Sequence, residues 1–143
     1  MAIQGLNVSL RAYHREWGKV GSGDFIRSLQ ITDSDLIVEA QSDVGSNKMA
    51  VVVLVEAQIS DHSASQEPYE AFAEAIKSKL GHVATWLDKR PPEGFDRARQ
   101  EGLTVDLLVE LWINDDQMEL SFPSSFLAAC GRLGLNIEMI TND

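Results

Sequence analysis

The sequence predicts an α+β fold: one domain over residues 1–143, with an antiparallel or mixed sheet of about five strands and two main helices packed on one face. Several short runs alternate between apolar and polar residues, which is typical of half-buried strands. Two longer segments carry apolar residues at three- and four-residue steps, which is typical of amphipathic helices. One-sided strands favour an antiparallel or mixed sheet over a parallel sheet buried on both faces.

The N-terminal half contains three predicted strands and a short helix. In residues 6–13 (LNVSLRAY) the even-numbered positions are apolar and the odd-numbered positions, up to Tyr13, are mostly polar. A short helix that opens with Asp24 is expected over 24–31. Two β-prone runs, 36–41 and 49–59, flank the turn-forming sequence DVGSNK and predict an antiparallel hairpin. The second run begins MAVVVLV, so we expect it in the middle of the sheet or covered.

The clearest predicted element is a helix that starts at Pro68 and ends before Pro91-Pro92. Its apolar stripe recurs at three- and four-residue steps and includes Phe72, Ile76, Leu80, Val83 and Leu87. The stretch PPEGFDRARQEG that follows is interpreted as a solvated connector with at most one helical turn. The basic residues in and just before this stretch are Lys89, Arg90, Arg97 and Arg99. They alternate with acids, which argues against a nucleic-acid patch.

The C-terminal third is predicted as strand, turn, helix and strand. The strand VDLLVELWIN (105–114) is followed by a turn at Asp115-Asp116, after which MELSF continues it. PSSFLAACGRLG (123–134) is the second main helix, which Gly134 ends. LNIEMI (135–140) is the last strand.

Composition bounds the function. There are 22 acidic against 12 basic residues, for a net charge of −10. Such a field repels nucleic acid and anionic membranes and attracts basic partners. The single cysteine, Cys130, excludes an internal disulfide and is interpreted as a buried structural thiol. We find neither a signal-peptide pattern nor an apolar run of about 18 residues, so a cytoplasmic location is expected.

No motif for catalysis, metal or cofactor binding is recognised. His14, His62 and His82 lack a second ligand at helical spacing, and the glycine-rich GKVGSGD lacks the ending of a phosphate-binding loop. There is no GxSxG element, and Cys130 has no base beside it in the sequence. The prediction is therefore a protein that is not an enzyme and has no cofactor.

The strand VDLLVELWIN carries the candidate site. One parity is entirely apolar, and the other presents Asp106, Glu110 and Trp112 on one face. Because unpaired buried carboxylates are costly, we expect that face to meet water or a partner. The other strands add residues of the same kind, so the predicted partner-binding set is Asp106, Glu110, Trp112, Glu39, Glu56, Glu138 and Tyr13. An ordinary solvated sheet face is the alternative interpretation.

The C-terminal third also resembles a known pattern. The segments VDLLVELWIN, MELSFPSSFLAACGRLG and LNIEMI are similar to the end of a family of small uncharacterised bacterial α+β domains. In its size, acidity and single α+β domain the chain is similar to immunity proteins that neutralise bacterial toxins. These resemblances imply an α+β fold and carry no catalytic residues.

Three functions follow as hypotheses. The first is a non-catalytic immunity or inhibitor protein that covers the basic site of a toxin; a nucleic-acid mimic is a variant of it. The second is a small enzyme or ligand-binding domain with a cleft at the sheet edge, in which an acid pair such as Asp115/Asp116 binds a metal. The third is a homodimer that pairs through the sheet face or an edge strand.

Overall fold

The computed structural model describes residues 3–14, 22–31, 39–44, 49–114 and 119–142. The strands are β1 (Ile3–His14), β2 (Glu39–Val44), β3 (Met49–Gln58), β4 (Leu103–Ile113) and β5 (Asn136–Asn142). The helices are α1 (Ser22–Ser28), α2 (Pro68–Asp88), α3 (Pro92–Gln100) and α4 (Ser124–Arg132), and a 3₁₀ turn spans Ile59–His62. The predicted turn at Asp115-Asp116 lies outside the described residues.

The strands form one mixed sheet in the order β2-β3-β1-β4-β5. All neighbouring strands are antiparallel except β4 and β5, which are parallel and are connected in the chain through α4. The hairpin predicted from DVGSNK is confirmed, because β2 and β3 pair antiparallel. The apolar strand β3 lies between β2 and β1, so the hazard of an exposed apolar edge does not arise.

One face of the sheet carries the core. Leu6, Val8 and Leu10 of β1 are fully buried and lie opposite Leu111, Val109 and Leu107 of β4. Side chains from all four helices join the same apolar cluster, among them Phe25, Phe72, Phe95 and Phe126. Leu108, on the opposite parity of β4, is only 8% exposed yet lies outside this cluster. The α+β class is confirmed, with the described helices gathered on one face.

A β-bulge changes the parity of β3. Val8 pairs with Val55 but its neighbour Ser9 pairs with Val53, so Leu54 is an extra residue with no cross-strand partner. Regular alternation predicts Val51 and Val53 opposite to Glu56, and that prediction is wrong. The register places both valines on the face of Glu56, whereas Val55 turns to the core.

The N-terminal ends of α1 and α2 differ from those that N-cap preferences predict, which are Asp24 for α1 and Ser65 for α2. Helix α1 begins at Ser22, so Asp24 lies inside the helix instead of capping it. Helix α2 begins at Pro68 after Glu67 as N-cap. The Ser65 hydroxyl accepts a hydrogen bond from the Glu67 backbone N–H at 3.2 Å, so Ser65 stabilises the turn that precedes the N-cap residue.

The segment interpreted as a connector is a helix. Helix α3 spans nine residues and buries Gly94, Phe95 and Ala98. The Phe95 ring meets the Phe25 ring edge to face at 5.4 Å, and a Cβ on Gly94 would come within 2.6 Å of the Ser28 hydroxyl oxygen. The lack of a side chain at Gly94 therefore lets α3 approach α1. By contrast, residues 119–123 are not a strand.

The sequence predicts Arg90 beside a solvated connector, but the side chain is buried, with 4% of its surface exposed. Its guanidinium donates to the carbonyls of Leu29 at 2.9 Å and Gln30 at 3.2 Å, just beyond the end of α1, and to Trp86 at 3.0 Å. It also lies 4.6 Å from the centre of the Trp86 ring. Arg90 thus binds the negative end of α1 to the last turn of α2.

Two further arginines repeat this arrangement. Arg99 of α3 donates to the carbonyls of Leu133 and Gly134 at the end of α4, and Arg132 of α4 donates to Leu87 at the end of α2. Gly134 has φ +67°, and the Leu135 N–H donates to the Cys130 carbonyl at 2.8 Å. This is the glycine-terminated helix end that the sequence predicted.

Candidate functional site

The side of the sheet away from the core, called the outer face here, brings most of the predicted site residues together. Across β3, β1, β4 and β5, one row of the register reads Glu56, Asn7, Glu110 and Ile140. The adjacent rows place Trp112 beside Asn142 and Leu108 beside Glu138. The parity prediction for Glu110 and Trp112 is therefore correct.

Asp106 lies on this face but does not meet water. It is 3% exposed and accepts two hydrogen bonds at 2.8 Å from Arg11, its cross-strand neighbour, through Nε and Nη2. The Tyr13 hydroxyl donates to Asp106 Oδ2 at 3.0 Å. Burial is the largest single influence on the pKa of Arg11 and lowers it, but the hydrogen bond and charge of Asp106, together with the charges of Tyr13 and Glu138, make the net shift upward.

The expectation that Asp106 is open to a partner is therefore wrong. Its carboxylate is paired, and a paired carboxylate can be buried where an unpaired one cannot. Tyr13 is committed to the same cluster. Neither residue offers a free polar group to a partner's cation, and what remains accessible lies along β4 and β5.

Four residues form what we call the acid–tryptophan patch: Glu110 and Trp112 on β4, and Glu138 and Ile140 on β5. Glu110 pairs directly with Ile140, and Glu138 is two residues before Ile140 on the same face. Glu138 is exposed, Ile140 is 46% exposed, and Glu110 and Trp112 are half-buried. Within the described part of the chain, neither carboxylate forms a salt bridge. The patch therefore presents two carboxylates that form no described salt bridge, beside an aromatic ring and an aliphatic side chain; the charge of Glu138 also acts on Arg11.

Trp112 is held in place by a glycine. Gly5 is its cross-strand neighbour, and a Cβ on Gly5 would lie 3.4 Å from Trp112 Cε3. The indole therefore packs across the bare backbone of β1, which buries part of the ring. The absence of a side chain at position 5 sets the height of the ring above the sheet.

The other two predicted acids are farther away. Glu56 is exposed and shares the row of Glu110, with Asn7 between them, so it lies two strands or about 10 Å from Glu110. Glu39, on β2, pairs with Val53 of β3. Glu138 lies in the same row of the register but four strand spacings away, about 19 Å. Glu56 can extend the patch, whereas the register separates Glu39 from it.

Ile140 is a site residue that the sequence reasoning missed. It shares the parity of Glu138, so two-residue spacing along LNIEMI was a signal that could have found it. The Arg11–Asp106 pair had no comparable signal, because its members are 95 residues apart.

Cys130 and two of the three histidines have described surroundings. Cys130 is 2% exposed, and burial raises the pKa of its thiol to about 11, so it is a poor nucleophile at neutral pH. His82 is exposed on α2, and His62 packs near the Phe72 ring at 6.0 Å. Among the residues with described positions, no three of His, Cys, Asp and Glu are grouped so that they could hold a metal ion.

A cavity of about 330 Å³ lies between α2 and the segment after β4. Its floor is apolar and its rim carries charges, and the lining residues are Ile3, Ala73, Glu74, Ile76, Lys77, Glu119, Leu120 and Ser121. This volume is at the lower end of the range for small-molecule pockets. The cavity is separate from the acid–tryptophan patch, because it lies on the helix side of the sheet.

Among the helices whose positions are described, none combines the length and the apolar character that a membrane crossing needs. Comparison of the chain with known proteins gave no matching family model, no matching curated protein and no matching solved structure.

Proposed function

We propose that this protein is a non-catalytic, acidic binding module of the immunity or inhibitor type, which covers a basic site on a partner such as a bacterial toxin. The observation that supports this most directly is the acid–tryptophan patch: two carboxylates outside any described salt bridge, beside a half-buried tryptophan, on the sheet face opposite the described helices.

The two kinds of residue in the patch have separate roles. Trp112 and Ile140 supply apolar area, from which most interface free energy comes. Glu110 and Glu138 attract cationic side chains and set the orientation of the partner. The net charge of −10 extends this attraction beyond contact distance and speeds encounter with a basic protein.

The test compares two charge reversals of equal size. Glu110→Lys/Glu138→Lys changes the patch, and Glu93→Lys/Glu101→Lys makes the same change on exposed positions of α3 and its end. A basic partner captured by the wild type should bind the patch variant at least about tenfold more weakly and with a shallower dependence on salt. The control variant should retain most of its affinity at 0.15 M salt.

Trp112→Ala tests the apolar half of the proposal. We expect a loss of about 2 kcal/mol in binding free energy with an unchanged salt dependence, because the charges remain. Equal affinity of wild type, patch variant and Trp112→Ala for the same partner would remove this face from the model.

A second candidate function rests on the cavity beside α2. In this proposal a small ligand places an apolar body against Ile3, Ile76 and Leu120. Thermal shift against divalent metals and a library of small apolar compounds tests it. A rise of several degrees that Ile76→Trp abolishes would favour ligand binding, and no rise with any compound would count against it.

A further inference from the structure

The edge of the sheet at β5 carries few of the features that discourage strand pairing. Among the described strands, β5 pairs only with β4, so no described strand occupies the backbone groups on its other side. It contains no lysine and no proline, and its pairing with β4 has no register shift. Met139 and Ile140, at its centre, are each 46% exposed. Sheet edges with these properties are prone to pair with another strand.

The sequence of β5 is close to a palindrome. Read outward from Met139, the strand NIEMITN has Glu138 and Ile140 on either side, then Ile137 and Thr141, both β-branched, then asparagine at both ends. An antiparallel pairing of two copies brings these positions opposite each other. The strand is therefore suited to pair with itself.

We propose that β5 pairs antiparallel with β5 of a second copy of this chain, about a two-fold axis at Met139. All seven residues of the strand then find a partner. Met139 faces its own equivalent on the helix side of the sheet, because its parity is that of the buried Val109. The result is one continuous ten-stranded sheet.

This register also solves a problem of charge. Glu138 is the one charged residue of β5. With the axis at Met139, Glu138 lies opposite Ile140 of the second copy, and the two Glu138 carboxylates do not face each other. A register centred on Glu138 places the carboxylates directly opposite, which is unfavourable. Terminal asparagines opposite each other can exchange amide hydrogen bonds.

The dimer places two acid–tryptophan patches on one surface. A two-fold axis perpendicular to the sheet keeps the outer faces on the same side. The inference does not depend on the proposed function, and the two respond oppositely to salt. Added salt weakens the binding of a basic partner but strengthens the association of two copies that each carry −10.

The test is the concentration dependence of mass, measured by light scattering after gel filtration and by sedimentation, up to about 100 μM protein. Wild type should form dimers, more strongly at 0.5 M than at 0.05 M salt. Ile140→Glu places a carboxylate opposite Glu138 twice in each dimer and should weaken association by about tenfold or more.

Charge exchange then tests the register. Adding Glu138→Lys to Ile140→Glu creates two Lys–Glu pairs across the axis and should restore the dimer to near wild-type affinity. Tyr69→Glu is the matched control: it replaces an exposed apolar residue by glutamate in the first turn of α2, and it should leave association unchanged.

Cross-linking gives a measurement that does not need a destabilising change. Met139→Cys should form an intermolecular disulfide quickly, because facing residues of paired strands have Cα separations that a disulfide spans. Tyr69→Cys should not. A wild type that stays monomeric at every concentration and salt overturns the proposal. A dimer that Ile140→Glu leaves intact also overturns it. The proposal fails as well if the double variant Glu138→Lys/Ile140→Glu does not dimerise and Met139→Cys does not cross-link.

Discussion

At the scale of single residues, Asp106 explains how an apolar strand accommodates an acid. Two parallel hydrogen bonds from Arg11 and one from Tyr13 satisfy the carboxylate within a face that its neighbours shield. Charge-assisted bonds of this two-pronged kind are among the strongest that side chains form. The residue that first looks like a site for a partner is a structural element of the sheet.

Removing one member of this cluster should be costly. Asp106→Ala leaves Arg11 largely buried and without its counter-charge, so we expect the free energy of unfolding in urea to fall by about 3 kcal/mol. Replacing both members, Arg11→Met with Asp106→Leu, should cost much less because no charge is stranded. A single variant as stable as the double would contradict this account.

Cys130 predicts a dependence of stability on alkaline pH. In the folded protein the pKa of the thiol is raised to about 11, so the folded state keeps a proton that the unfolded state releases near pH 9. Stability is therefore full below pH 9 and falls as pH rises toward 11, by roughly 2–3 kcal/mol from this group. Cys130→Ala should show a smaller fall over the same range in urea unfolding at pH 8, 9, 10 and 11; parallel curves would refute the assignment.

At the scale of elements, the sequence predicts strands well where their alternation is unbroken. The parity of β1 and β4 could be read directly, because polar and apolar residues alternate over 6–12 of β1 and one parity of β4 is entirely apolar. The parity of β3 could not, since its bulge depends on how β1 lies beside it. Helix α3 was missed for a different reason: it buries one glycine, one phenylalanine and one alanine, which leaves only a faint stripe.

The bulge makes a deletion in a central strand tolerable. Without Leu54, the remaining residues of β3 alternate regularly and keep Val53 and Glu56 on the outer face. The deletion variant should fold, with a loss of about 2–4 kcal/mol for the buried leucine. Deletion of Leu108 from β4, which has no bulge nearby, turns half of that strand inside out and should prevent folding. Circular dichroism and urea unfolding distinguish the two, and equal damage would count against the bulge.

The contacts of Arg90 at the ends of α1 and α2 should stabilise the protein far more than an exposed arginine of α3 does. Arg90→Ala removes three hydrogen bonds to carbonyls and a contact with the Trp86 ring, so we expect unfolding free energy to drop by about 2–4 kcal/mol. Arg97→Ala, an exposed position on α3, is the control and should change it by no more than about 0.5 kcal/mol. Similar melting temperatures for the two variants would show that Arg90 does not join α1 to α2.

At the scale of the whole molecule, charge and topology together define the candidate site. The excess of acids was readable from composition, and the clustering of Glu110 with Trp112 from spacing within one strand. That Glu138 lies near them and Glu39 far away depends on strand order, which local patterns do not contain. Long-range pairing also decided which acid is neutralised, because Arg11 meets Asp106 only when β1 and β4 are neighbours.

The central place of β1 has a consequence for biosynthesis. The residues that pair across β1 and β4 are up to about a hundred positions apart, as Arg11 and Asp106 show at 95. At 5–20 residues per second, a ribosome needs about 5 to 20 s to make the intervening chain. During that interval β1 has only the β2–β3 hairpin as a neighbour among the described strands of the sheet. The nascent protein therefore carries an apolar strand with one open side until β4 is synthesised, and it is in this window that a chaperone has most to protect.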